Sequence, residues 1–253
     1  MPRHCEIRII PVPFAEEVLP GDDLAKKLAA VLRNQKVQLE SGDVLVIKHK
    51  IVSKAEGRII QLSKVRASRP AKSWANIAGA DDRVVELALR ESKRIVRKKK
   101  GVLITQTQHG FVCANSGVDL SNVDGGRSAV LLPKDPDASA EDLRSRVNRM
   151  FRARIAVIIT DSFGRPWREG LTEVAIGVAG MQPLTDYRGR RDPHGYKLHA
   201  TAEALADEVA CAAGLVCGKL NRTPACIVRG VKFSARRGSG RELIRPAKND
   251  LFR

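Results

Sequence analysis

The chain has 253 residues, a hydrophobic fraction of 43% and 45 Lys plus Arg against 28 Asp plus Glu, a formal charge of +17. This balance describes a globular protein with a sizeable core, excludes a disordered segment, and offers no apolar run near the roughly 18–20 residues of a membrane span. With aromatics at 4%, stacking platforms for single-stranded nucleic acid are scarce, so the basic surplus fits anionic small substrates, a polynucleotide or a basic proteome.

The N-terminal MPRHCEIRIIPVP lacks the long apolar core of a secretory signal, and a cytoplasmic location is expected. Residues 21–23 (GDD) start a helix in which Leu24, Leu28, Val31 and Leu32 recur at helical spacing. GDVLVIKHK, 42–50, is a turn followed by a buried strand. IVSKAEGR follows, with Lys48, His49 and Lys50 just before it. His49 on its own is a polar surface or turn residue, and Lys54 one surface lysine among many. No Walker A loop occurs. Residues 81–97 are expected to form one helix, with Val85, Leu89, Ser92 and Val96 on a face and the run RESKRIVRKKK at its end, where cations suit the helix dipole.

VLITQTQ, 102–108, is an expected strand leading into ANSGVDLSNVDGG, 114–126, where Asp119 and Asn122 sit among glycines. Such a loop has the oxygen donors for a hard cation and phosphates, but by spacing alone it reads as an ordinary turn. VLLP, 130–133, is a short strand, and Ser139 with Asp142 a capping-box-like helix start before the stripe Leu143, Val147, Met150 and Phe151. IAVIIT, 155–160, is a buried strand. TDSFGRPWREG then places Asp161 at its carboxyl end, where α/β proteins collect ligands, with Ser162, Arg165 and Arg168 beyond. DYRGRRDPHGYK, 186–197, is a basic loop fit for an anion lid or a subunit contact. Residues 200–216 form a helix and ACIVRG, 225–230, a strand. The cysteines at 5, 113, 211, 217 and 226 are odd in number, lack a C-x-x-C pair and are expected to be structural, with Cys113 alone bordering the acidic loop. The alternation predicts an α/β chain with mixed sheets, a single domain over 1–253 or two intimate subdomains.

Seven stretches in order carry more than their spacing: PVPFAEEVLPGDDL, SGDVLVIKHKIVSKAEGR, HGFVCANSGVDLSNV, LLPKDPDASAEDLR, VIITDSFGRPWREG, TPACIVRG and GRELIRPAKNDLFR. Together they resemble the coenzyme F420:L-glutamate ligases over essentially the whole chain. The resemblance implies GTP-dependent addition of L-glutamate to the deazaflavin precursor F420-0 through an acyl phosphate, with Mg²⁺ or Mn²⁺ (one or two ions) and potassium as a further candidate ion. It also implies an intertwined α/β homodimer, GTP near the subunit contact, no membrane or nucleic-acid partner, and a stand-alone form without a nitroreductase-like domain. Carried over by position, Asp119, Asp161 and Ser162 are metal ligands, and Asp119, Asp161 and Lys54 serve catalysis. The GTP contacts are Pro13, Phe14, Ala15, Glu16, Lys48, His49, Lys54, Asn122, Gly218 and Lys219, the last two in the loop CGKLNRTP. Lys219 is a departure: the family tends to carry Gln or Glu there, and a protonated lysine cannot ligate a second ion. Two alternatives remain open, a paralogous amide-forming ligase with another substrate and a basic nucleic-acid-binding protein.

Overall fold

A computed structural model describes residues 6–99 and 101–250, so Cys5 lies outside the described residues. In chain order come β1 (Arg8–Val12), α1 (Leu24–Asn34), β2 (Val44–Lys48), α2 (His49–Ala55), β3 (Ile59–Gln61), α3 (Arg69–Ala78) and α4 (Asp82–Arg90). β4 (Ser92–Lys99), β5 (Val102–Thr107), β6 (Val112–Ala114), β7 (Ser128–Val130) and α5 (Pro136–Phe151) follow. The chain continues with β8 (Ala156–Arg165), β9 (Arg168–Ala179), β10 (Thr185–Asp186), β11 (Ala202–Glu203), α6 (Leu205–Cys217) and β12 (Ala225–Arg229).

The central sheet has the order β1-β12-β2-β8-β9. β2 and β8 pair in parallel, Val44 opposite Ala156 through Lys48 opposite Thr160, and the other neighbours are antiparallel. Successive side chains of a strand face opposite sides, and both sides are covered here. Leu45, Ile47, Val157 and Ile159 pack with α1 and α5 through Leu28, Leu32, Leu143 and Val147. Val44, Val46, Ala156 and Ile158 pack with α6 through Ala206, Val209 and Ala213. A strand buried on both faces reads as a continuous apolar run, which is why VLVI and IAVII stand out in the sequence. Each such Leu or Ile contributes roughly 1.5–3 kcal/mol by leaving water.

A smaller unit, built from 59–132, packs α3 and α4 on short strands around Leu62, Ala75, Leu87, Leu103 and Leu131. The central sheet, with one parallel and three antiparallel pairings, is mixed, as expected for an α/β chain of this kind. Among the described residues no helix is long and apolar enough to cross a membrane.

Several sequence expectations are corrected. The helix expected over 81–97 ends at Arg90, and the basic run forms β4, antiparallel to β5. Ile95 and Val96 are β-branched and suit a strand, and the ladder with β5 outweighs the helical spacing. The helix start at Ser139 is displaced to Asp135, whose carboxylate accepts from Ala138 N at 3.1 Å with Pro136 opening the helix, so Ser139 lies inside α5. The strand expected at 130–133 is Ser128–Val130, and TDSFGRPWREG is not a loop after a strand but the outer part of a β8–β9 hairpin. His49 and Lys54 are not surface residues: both are buried on α2, at 2% and 7% exposure.

α5 and β9 meet at Gly177, where an added Cβ would lie 2.3 Å from the Pro136 carbonyl oxygen. Backbone cannot yield as a side-chain tip does, so Gly177→Ala is expected to destabilise the fold by about 2 kcal/mol or more. Urea unfolding reads this directly, and an unchanged midpoint would contradict the packing.

Candidate functional site

β2 and β8 run in parallel, so their carboxyl ends open on the same edge of the sheet. β2 ends at Lys48 opposite Thr160 and passes into His49, while β8 runs on beyond that point carrying Asp161 and Ser162. A cavity of about 690 Å³ sits there, lined also by Phe14–Val18, Lys50, Lys54, Asp119, Asn122 and the loop 217–224. Segments far apart in sequence converge on it. Phe14 N donates to Arg222 O at 2.9 Å and Lys48 N to Pro224 O at 2.8 Å, which ties the N-terminal strand exit, β2 and the 217–224 loop together. Of the residues assigned from the resemblance, Phe14, Ala15, Glu16, Lys48, His49, Lys54, Asp119, Asn122, Asp161, Ser162, Gly218 and Lys219 all line this cavity. Pro13 stands outside the lining, its carbonyl accepting from Gln35 Nε2 at 3.1 Å.

The charged side chains are matched in pairs. Lys50 Nζ lies 2.7 Å from Asp119 Oδ2 and donates to Ser121 Oγ at 2.5 Å. Lys54 Nζ donates to Glu17 Oε1 at 2.6 Å and to the Asn122 carbonyl at 3.0 Å. His49 Nδ1 and Ser53 Oγ are 3.3 Å apart, and His49 Nε2 is 3.3 Å from Asp161 Oδ1 without the alignment of a hydrogen bond. That nitrogen is therefore a buried polar atom facing the acidic edge with no aligned partner.

Beneath Ser162 sits a residue the sequence reading passed over. Glu173, on β9 directly opposite Ser162, is 7% exposed and accepts from Ser162 Oγ at 2.6 Å and Thr160 Oγ1 at 3.0 Å. Lys48 Nζ pairs with the same carboxylate, and Lys219 Nζ donates to Ser162 Oγ while lying 4.0 Å from Glu173. The available signal was one carboxylate in the otherwise apolar TEVAIGVAG; without β9 identified, its inward direction was invisible.

Burial pushes the Glu173 carboxyl up, but the Lys48, Ser162 and Thr160 contacts outweigh it and hold it below its usual value. Burial likewise opposes ionisation of Asp119, and Lys50 with the Ser121 amide overcomes it. Burial and the Asp161 charge push the Cys113 thiol up to about 12, so this cysteine, although close to the site, is an inert thiol.

The acidic loop is shaped by backbone as much as by side chains. Asn115, Ser116 and Asn122 have φ of 50°, 54° and 59°, and Ser116 Oγ, 2.9 Å from Ala88 O and 2.7 Å from Thr105 Oγ1, anchors the turn. At Gly117 a Cβ would meet Leu132 at 2.8 Å. Asp119 then pairs its backbone with Val130, N to O at 3.0 Å and O to N at 2.8 Å, which fixes the carboxylate at the cavity. As a donor set, Asp119 and Asp161 offer hard oxygens from two segments, suited to a divalent cation completed by phosphate oxygens. Ser162 Oγ is committed to Glu173 and Lys219. Among the described residues no group of three or more His, Cys, Asp or Glu side chains is placed to hold a metal by itself. The basic arm 186–197 contributes nothing to the lining, nor does β4.

Residues 14–230 match the family model described as F420-0:Gamma-glutamyl ligase. A Methanopyrus kandleri protein named coenzyme F420:L-glutamate ligase is 46% identical over 252 residues, covering 98% of each chain. Proteins of the same name from Methanothermobacter thermautotrophicus and Methanocaldococcus jannaschii are 43% and 44% identical, over 98% and 85% of this chain and 99% and 86% of their own.

Because Glu173 binds its proton less readily when folded, its pairing stabilises the fold fully above the ordinary carboxylate value of 4.5, and that contribution fades as pH falls through the lower folded value. The stability gap between wild type and Glu173→Gln is therefore expected to be largest at neutral pH and to narrow as pH falls below that ordinary value. Urea titrations across this range test it; a gap independent of pH would refute the pairing.

Proposed function

The chain belongs to the F420-0:gamma-glutamyl ligase family and is a carbon–nitrogen ligase of coenzyme F420 biosynthesis, and we propose that it uses GTP to activate a carboxylate of the F420 precursor for attack by L-glutamate. The observation that carries this reading is the convergence of Lys48, His49, Lys54, Asp119, Asn122, Asp161 and Gly218 on one cavity.

A carboxylate is a poor acyl donor. Its oxygen attacks the γ-phosphorus of GTP, GDP leaves, and an acyl phosphate forms. The glutamate amine then attacks the acyl carbon, phosphate departs, and the nitrogen loses a proton. Such transfers depend on positioning and on neutralising charge. Lys48 and Lys54 are held by Glu173 and Glu17 at the cavity wall and present fixed positive charge to phosphate oxygens. Asn122, turned into the cavity by its left-handed backbone, orients the nucleotide. Phe14, Leu171 and Leu220 supply apolar rim against which a ring can lie. Asp119 and Asp161 would hold Mg²⁺ or Mn²⁺, which would supply positive charge to offset that of the phosphates.

The homodimer belongs to the same proposal. Trp167 at 81% exposure, Leu220 at 89% and Leu171 at 62% place large apolar side chains on the hairpin arm and on the loop at the cavity rim. Apolar surface of this kind beside a site commonly marks an interface. Light scattering of the purified protein is expected to give twice the chain mass, and Trp167→Lys to shift it toward the monomer; a monomeric wild type would discard the dimer.

Asp119→Ala and Asp161→Asn are each expected to lower GTP-dependent glutamylation at least about 100-fold while the protein remains folded. Product masses after incubation with GTP, Mn²⁺, L-glutamate and F420-0 provide the measurement. Near-normal turnover by either folded variant would count against the assignment.

A further inference from the structure

We propose that Glu173 is a positioning residue that aims two ammonium groups, Lys48 and Lys219, at the phosphate-binding end of the cavity, and that Lys219 thereby latches the 218–224 loop onto the sheet. This rests on the reading that the cavity takes a nucleoside triphosphate.

The argument begins with position. Glu173 does not line the cavity; it lies behind Ser162, on the neighbouring strand and directly opposite it. Lys48, Thr160, Ser162 and Lys219, which surround or approach its carboxylate, do line the cavity. Its two oxygens are divided between them: one accepts from Thr160, the other from Ser162 and Lys48. Since Ser162 gives its proton to Glu173, the hydroxyl turns its lone pairs toward Lys219, which donates to it. Lys219 is on an exposed loop whose other ties to the body, Phe14 N to Arg222 O and Lys48 N to Pro224 O, lie at its far end. Its side chain is 62% exposed, so the link to Ser162 and the charge of Glu173 are what draw it inward.

Two cations facing one carboxylate leave a surplus positive charge at the cavity wall. Without Glu173 the ammonium groups would repel one another and Lys48, whose side chain is 19% exposed, would lose its buried partner. The carboxylate is in turn held mechanically. α6 passes so close that a Cβ at Gly214 would lie 2.9 Å from Glu173 Cγ. A glycine inside a helix costs stability relative to alanine, and here its absent side chain leaves room for the Glu173 stem.

Charge and position predict opposite results, which makes the inference testable. Removing a negative charge beside a polyanion site should tighten binding; losing the aim of two lysines should weaken it. We expect Glu173→Gln to weaken GTP binding at least fivefold, measured by calorimetry in EDTA without any divalent ion, while guanosine binding stays within twofold of wild type. Gly214→Ala, which keeps every charge and favours the helix, is expected to weaken GTP binding in the same direction by pushing Glu173 aside. Lys219→Met is expected to do so by releasing the loop, with faster proteolysis within 218–224. GTP affinity equal to or above wild type in folded Glu173→Gln and Gly214→Ala would overturn the positioning role. Absence of GTP binding by wild type itself, in EDTA and with Mn²⁺, would instead overturn the nucleotide reading beneath it.

Discussion

Parallel pairing of β2 with β8, two strands buried on both faces, governs the geometry of everything functional here. The pairing that places Lys48, the last residue of β2, opposite Thr160 also places His49 beside Asp161, the next residue of β8. Antiparallel neighbours then finish the site: β12 brings the preceding 217–224 loop over this point, and β9 brings Glu173 beneath it. Shifting the β9 register by one residue would turn Glu173 to the opposite face. Core packing and site geometry are thus the same constraint seen at the middle and at the end of the same strands.

Electrostatically, the cavity is assembled from paired charges. Lys50 with Asp119, Lys54 with Glu17, and Lys48 with Glu173 satisfy one another. Unpaired buried charge is costly, and these partners let the chain fold with a charged pocket. The same pairs are exchangeable, since an anionic substrate with a cation can replace each internal partner by one of like sign. The +17 of the chain is a separate matter. Much of it lies on surfaces such as β4, which takes no part in the cavity.

The sequence made the core strands legible because burial on both faces leaves an unbroken apolar run. It made α1 legible through helical spacing after Asp23, whose side chain caps the helix by accepting from Lys26 N at 3.0 Å. It misread 91–99 because apolar residues at 85, 89 and 96 satisfy a helical period that the ladder with β5 overrides. β9 escaped notice because VAIGVAG carries glycines, one of which, Gly177, is required by the approach of α5. Missing β9 meant missing Glu173.

The residues lining the site were legible mainly through the order of seven motifs, which also placed the chain among its relatives. Local chemistry alone read ANSGVDLSNVDGG as a turn. The amino-acid sequence determined which side chains are available: two aspartates, three lysines near a strand end, and a lysine at 219. Only the tertiary structure decided which of them meet. Side-chain direction along a strand depends on register, and register is set by partners distant in sequence. His49, to all appearance a surface residue, became a buried neighbour of Asp161, and Glu173, silent in the sequence, became the anion that holds Lys48 and draws in Lys219.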